Sequence, residues 1–331
     1  MAVSLVVFGL GAVSSLTTSW ALASRLERIG ELLGLTEGLL GLVAALAADT
    51  PEITSALTAL SHHQHAVGAG VVLGSNVFNL AALLGLSAVM AGSTRLHRRV
   101  ILLDGAVGLW TAGACLCTVG GVLPPAAGLL LTLPVLVPYV SALAGRPHRL
   151  GRLVPGRWSR WLRTAVAEEE LDLVQAIRPR RGTRRDAIEA AVLLVVVVVA
   201  SVAMERSASS LGRRWAVPDI VLGGIVLAVV TSIPNAAAGI YLGARGRGAA
   251  LLSTALNSNT INVVVGLLIP ATVTGLAGAS SGLLVAAWYA ALTGLVLGMA
   301  WSGRGLVRSQ GLLIVGGYVA FVATLISTNW R

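Results

Sequence analysis

One pattern occurs twice in this chain, 183 residues apart, and each copy sets a proline and several polar side chains inside a long apolar run. The first copy reads Ala48-Asp49-Thr50-Pro51-Glu52, then Gly74-Ser75-Asn76-Val77-Phe78-Asn79. The second reads Thr231-Ser232-Ile233-Pro234-Asn235, then Asn257-Ser258-Asn259-Thr260-Ile261-Asn262. No gap is needed to align them from Gly41 and Gly224 to Asn79 and Asn262. The chain is 56% hydrophobic and 11% charged, against ~25% charged in a soluble domain. Its apolar runs therefore read as membrane spans. Hydrocarbon excludes polar, proline-broken backbone unless that backbone faces protein or a water-filled path. A doubled segment of this kind points to a transporter binding site.

The spacing predicts an all-α polytopic membrane protein of ten spans, near 2–23, 35–60, 66–91, 100–120, 123–144, 186–205, 218–244, 248–270, 280–301 and 309–328. Five spans on each side of the 145–185 loop give two halves, 1–144 and 186–331. An odd number per half makes them insert with opposite topology, an inverted repeat. Arginine placement fixes the expected orientation. With both termini outside, about 20 arginines fall in inside loops and 4 outside, which is the positive-inside bias. The 145–185 loop is then cytoplasmic and the protein integral to a membrane, by expectation a bacterial plasma membrane. The N-terminal run lacks a basic n-region and is too long for a signal peptide, so it reads as a retained first span.

The net charge of +10 is carried by arginine alone, since the chain has no lysine. Those arginines lie in short loops rather than on one soluble face, which excludes a nucleic-acid partner. The expected partners are the lipid bilayer and small cations, and oligomeric state is not readable. Trp158, Trp161, Leu162, Val166, Leu173 and Val174 recur at helical spacing among arginines, which predicts an amphipathic helix on the cytoplasmic leaflet. The run Glu168, Glu169, Glu170 and Asp172 reads as a solvated face. Cys115 and Cys117 read as buried small hydrophobes.

Asp49 and Glu52 are the only carboxylates placed deep within a span. Glu37, Asp104, Asp186, Glu189, Glu205 and Asp219 fall near span ends, where they are expected to reach the interface. A carboxylate at the bilayer centre costs at least ~2.5 kcal/mol. Two of them at i and i+3 share a helix face and repel, so a metal ion or protons should occupy that face. No arginine lies mid-span to pair with them. Pro51 and Pro234 lack an N–H, which frees the carbonyls of Ala47 and Val230. Those carbonyls, with Ala48 and Thr231 beside them, join the oxygens of Thr50, Ser75, Thr231, Ser232, Ser258, Asn79, Asn235 and Asn262 as a hard-oxygen cage. Gly68, Gly70 and Gly74 allow close packing of the third span.

The two motifs resemble the repeats of the Ca²⁺/cation antiporter superfamily, which contains the Na⁺/Ca²⁺ exchangers. The family patterns are close to G-T-S-x-P-E with G-S-N-x-x-N, and T-S-x-P-E with G-S-N-x-x-D or N. The resemblance implies ion binding by Glu52, Ser75, Asn79, Thr231, Ser232, Ser258 and Asn262. It also implies two half-sites meeting near the midplane, with spans 1 and 6 sliding across them. Two positions depart from the pattern. Asn235 stands where the second glutamate belongs, and Ala48-Asp49 replaces the first T-S. The count of two carboxylates survives, with both on the first half.

The expected function is secondary antiport of a cation, Ca²⁺ foremost, against Na⁺ or H⁺ by alternating access. Asp49 and Glu52 are the charged ligands, and no cofactor or enzymatic activity is implied. Two carboxylates this close titrate as a unit, which gives proton coupling weight beside sodium coupling. The alternatives are a monovalent cation/H⁺ exchanger, a non-transporting scaffold or sensor, and an intramembrane aspartyl protease using Asp49 and Asp104. The last lacks a G-x-G-D signal and leaves the repeat unexplained.

Overall fold

The structure, a computed structural model, describes residues 1–144, 156, 160–161, 164–166, 182–276, 280–303 and 305–329. Long apolar runs become helices here because a membrane supplies no hydrogen bonds to backbone groups. In chain order the helices are α1 (Ala2–Leu32), α2 (Glu37–Ala48), α3 (Thr50–Ser61) and α4 (His65–Ala91). Next come α5 (Arg98–Val119), α6 (Pro125–Leu143), α7 (Arg184–Arg214) and α8 (Asp219–Thr231). The last four are α9 (Ile233–Ala244), α10 (Gly248–Thr274), α11 (Ser280–Gly303) and α12 (Arg308–Asn329). Eight of these are long and apolar enough to cross a membrane alone. The bent pairs α2/α3 (53°) and α8/α9 (49°) make up to ten if each is one span.

Each bend falls two residues before its proline, at Asp49 and Ser232. The prolines then sit in the first turn of α3 and α9, where a missing N–H costs nothing. Two features were not legible in the sequence. The turn after each Ser-Asn-x-x-Asn group widens into a π-helix, at Leu80–Leu86 and Asn262–Leu268, and a third lies at Leu222–Leu227. A short antiparallel ribbon pairs Ser93–Arg95 with Gly305–Val307, so the chain is not purely helical.

The ribbon ties the α4–α5 loop to the α11–α12 loop, two loops expected on one side. On α1, Arg25 pairs with Glu189 of α7 at 2.8 Å, and Arg28 with Asp186 at 3.5 Å. The two 31-residue helices α1 and α7 run together, with Ser15 Oγ 2.7 Å from Ser201 Oγ. At 1.5 Å per residue each is about 46 Å long, more than a ~30 Å hydrocarbon layer needs.

Asp104, Asp186 and Glu205, expected near span ends, have little exposed surface. Asp186 completes a capping box with Thr183 at the start of α7, and Glu205 accepts from Ser209 Oγ at 2.7 Å. Most of the 145–185 segment, with its acidic run, lies outside the described residues. Of the expected amphipathic face, Val166, together with Ala165, is buried among Leu103, Val107, Tyr139 and Leu143. That part of the face rests on the protein rather than on the leaflet. Cys115 is buried, Cys117 is half-buried, and both are free thiols.

Candidate cation site

The core forms where α4 and α10 cross. Gly70 and Gly74 bring α4 onto the backbone of α8. A Cβ at Gly74 would lie 2.2 Å from the carbonyl oxygen of Gly224. No other residue permits that approach. The packing carries the Ser-Asn-x-x-Asn groups of both halves into one buried layer beneath the two bends.

Asp49 and Glu52 are fully buried and turned toward the second half. Asn235 Nδ2 and Ser258 Oγ each donate to Asp49 Oδ1 at 2.7 Å. Ser232 Oγ donates to Glu52 Oε1 at 2.6 Å, and Asn235 Nδ2 reaches the same oxygen at 3.4 Å. Adding 183 to Asp49 and Glu52 gives Ser232 and Asn235. The Ser232–Glu52 and Asp49–Asn235 contacts are therefore counterparts, with acid and donor exchanged between the two positions. The sequence places both acids on one half; the fold brings Asp49 within one hydrogen bond of Asn235, the position where the resemblance leads one to expect a glutamate.

Among the described residues, several acceptor oxygens in this layer meet no N–H or O–H donor: Asp49 Oδ2, Glu52 Oε2, Asn79 Oδ1 and Asn262 Oδ1. All four belong to expected ligands. Among the described residues, no ion pair reaches either carboxylate. Buried lone pairs left bare cost about 1–3 kcal/mol each, and more when charged. An arrangement of acceptors without donors is suited to a cation. The two carboxyl groups are also within hydrogen-bonding reach of each other, which a single shared proton would permit.

The remaining expected residues divide. Ser258 joins the acid cluster directly. Thr231 and Ser75 are buried beside it, but their protons go to backbone: Thr231 Oγ1 donates to Leu227 O at 2.9 Å, and Ser75 Oγ to Ala228 O at 3.5 Å. Their lone pairs stay available. Thr50, also expected to contribute, donates to Leu46 O at 3.0 Å at an exposed position. Ala47 is buried against Leu22, Ala190 and Val197. No contact draws the carbonyls of Ala47, Ala48, Val230 or Thr231 to the acids, and their role stays an expectation. Sequence reasoning passed over Asn76 and Asn259, which bond across the halves at 3.1 Å in both directions. The available signal was their occurrence in both motif copies at the 183-residue offset.

A cavity of about 240 Å³ lies beside this layer, lined by α2, α6 and α10, with Asn257, Thr260 and Tyr139 as its polar members. Asp49 and Glu52 do not line it.

The fold is that of a polytopic helical membrane protein, with a buried cluster of acceptor oxygens where segments of both sequence copies meet. The family model for sodium/calcium exchanger proteins matches residues 3–146 and 188–327, and the chain belongs to that family of membrane cation antiporters. The Escherichia coli (strain K12) inner membrane protein YrbG is 26% identical over 300 residues, covering 86% of this chain and 84% of the relative. The solved structure of the sodium-calcium exchanger NCX_Mj superposes with a TM-score of 0.58 at 18% identity, over 97% of this chain and 98% of that one. Native YfkE superposes with a TM-score of 0.63 at 16% identity, over 96% and 91%. At these identities the structures speak to the fold.

Proposed function

We propose that the chain exchanges a divalent cation, Ca²⁺ foremost, against Na⁺ or H⁺, with Asp49 and Glu52 as charged ligands. Ser75, Asn79, Thr231, Ser232, Asn235, Ser258 and Asn262 form the neutral shell. The observation that carries this reading is the set of acceptor oxygens on Asp49, Glu52, Asn79 and Asn262 that meet no donor, with no ion pair to either carboxylate, among the described residues. Two carboxylates balance one divalent charge, and every donor is a hard oxygen, the set Ca²⁺ takes. Within this shell Asn235 turns its amide N–H toward Asp49, so it also positions that carboxylate. Backbone carbonyls at Ala47, Ala48, Val230 and Thr231 complete the proposed cage when the bends open. The proximity of the two carboxyls supports H⁺ as a coupling ion beside Na⁺. By the arginine bias, both termini lie outside and the 145–185 loop is cytoplasmic. Uptake of ⁴⁵Ca²⁺ into proteoliposomes under an imposed Na⁺ gradient, and separately a pH gradient, tests the reading. Uptake driven by either is expected; uptake driven by neither ends it.

A further inference from the structure

We propose that Asn76 and Asn259 are positioning residues, each fixing the amide of a candidate ligand in the opposite half so that its carbonyl oxygen faces the cation. This rests on the functional reading above. Asn262 Nδ2 donates to Asn76 Oδ1 at 3.3 Å, and its counterpart, Asn79 Nδ2, donates to Asn259 Oδ1 at 3.2 Å. An asparagine amide has two ends, and which one faces a site is decided by the partners of the other. Here the NH₂ ends of Asn79 and Asn262 are held across the halves. Their Oδ1 atoms are the ones left buried without a partner.

Asn76 and Asn259 are themselves locked. Each donates its Nδ2 to the main-chain oxygen of the other at 3.1 Å. Anchoring the NH₂ end on backbone turns the oxygen end the other way, so Asn76 and Asn259 each present an acceptor on the side facing the ligand asparagine. That is the polarity needed to take the NH₂ of a ligand asparagine and turn its oxygen inward. The two networks are reciprocal: each bond becomes the other when 183 is added to the first-half residue and subtracted from the second. Asn79 has a second acceptor in Ser258 Oγ at 3.2 Å, whereas among the described residues Asn262 Nδ2 shows the Asn76 bond alone. The Asn76–Asn262 arm should therefore be the more sensitive.

The test is a double-mutant cycle on ⁴⁵Ca²⁺ affinity in detergent-purified protein, with thermal stability measured alongside. Removing a group that orients a metal ligand costs 10–100-fold in affinity, so Asn76→Ala is expected to weaken binding about tenfold. In an Asn262→Ala background the same change is expected to add less than about twofold, because its route to the ion is gone. A merely structural role would lower both stability and affinity equally in the two backgrounds, and additive losses overturn the proposal. Should Asn76→Ala not fold, the Asn259→Ala and Asn79→Ala cycle decides by the same criterion. A wild-type protein that binds no Ca²⁺ overturns the functional reading and this inference with it. Wild-type binding with additive losses overturns this inference alone.

Discussion

The exchange of acid and donor between Asp49 and Asn235 gives a sharp prediction. In Asp49→Ser the site loses one of two carboxylates. At ~4 Å and an effective dielectric near 20, one unit charge contributes ~4 kcal/mol per charge of the bound ion. The hydrogen bonds from Asn235 and Ser258 to Asp49, both 2.7 Å, lose their charged acceptor, at roughly 1.5–3 kcal/mol each. Part of this is offset by solvent and by rearrangement, so a loss of at least ~100-fold in Ca²⁺ transport is a conservative expectation. Asn235→Glu alone places a third carboxylate beside Asp49 and removes the Nδ2 donor, and should also fail. The double variant Asp49→Ser/Asn235→Glu keeps two carboxylates and rebuilds, in mirror image, the Ser232–Glu52 contact of 2.6 Å. It should recover to within ~10-fold of the parent, far above either single variant. Proteoliposome ⁴⁵Ca²⁺ flux, with gel filtration to establish folding, measures all four proteins. A folded double variant as inactive as Asp49→Ser would refute the idea that the two positions share one charge. So would full transport by Asp49→Ser.

Two further outcomes follow from packing. Gly74→Ala should lower thermal stability in detergent by about 1–3 kcal/mol, because its Cβ meets the Gly224 backbone at 2.2 Å and backbone cannot give way; an unchanged melting temperature would contradict that seat. The equivalent of Gly74 in the second half is Asn257, held by Tyr139 Oη at 2.8 Å and Ser253 Oγ at 3.0 Å beside the 240 Å³ cavity. Amides of α2 should therefore exchange with deuterium about tenfold faster than those of α8, which lies tight on α4; equal rates would sink this.

Much of the fold was legible because membrane solvation leaves few options. Apolar run lengths located the helices to within a few residues at most ends. The largest misses were the extra turns of α1 and α7, which continue past the apolar runs through polar Arg25, Glu27 and Arg213. The prolines signalled the bends at Asp49 and Ser232. The π-helices were not readable, since one added residue in a turn leaves the apolar run unchanged. The ribbon was not readable either, since three-residue strands carry no usable period.

Sequence alone determined that polar groups occur twice, at one spacing, inside apolar helices, because a repeat and a hydropathy run are properties of the chain order. It placed Asp49 and Glu52 as buried acids and Asn235 as a vacancy in the pattern. Only the tertiary structure decided that Asp49 meets Asn235, since residues 186 apart touch only after the two halves pack together. The same holds for Asn76 and Asn259, which sit next to the motif serines yet work on the opposite half. Contact across an interface is set by how helices cross, and a linear pattern does not carry that angle.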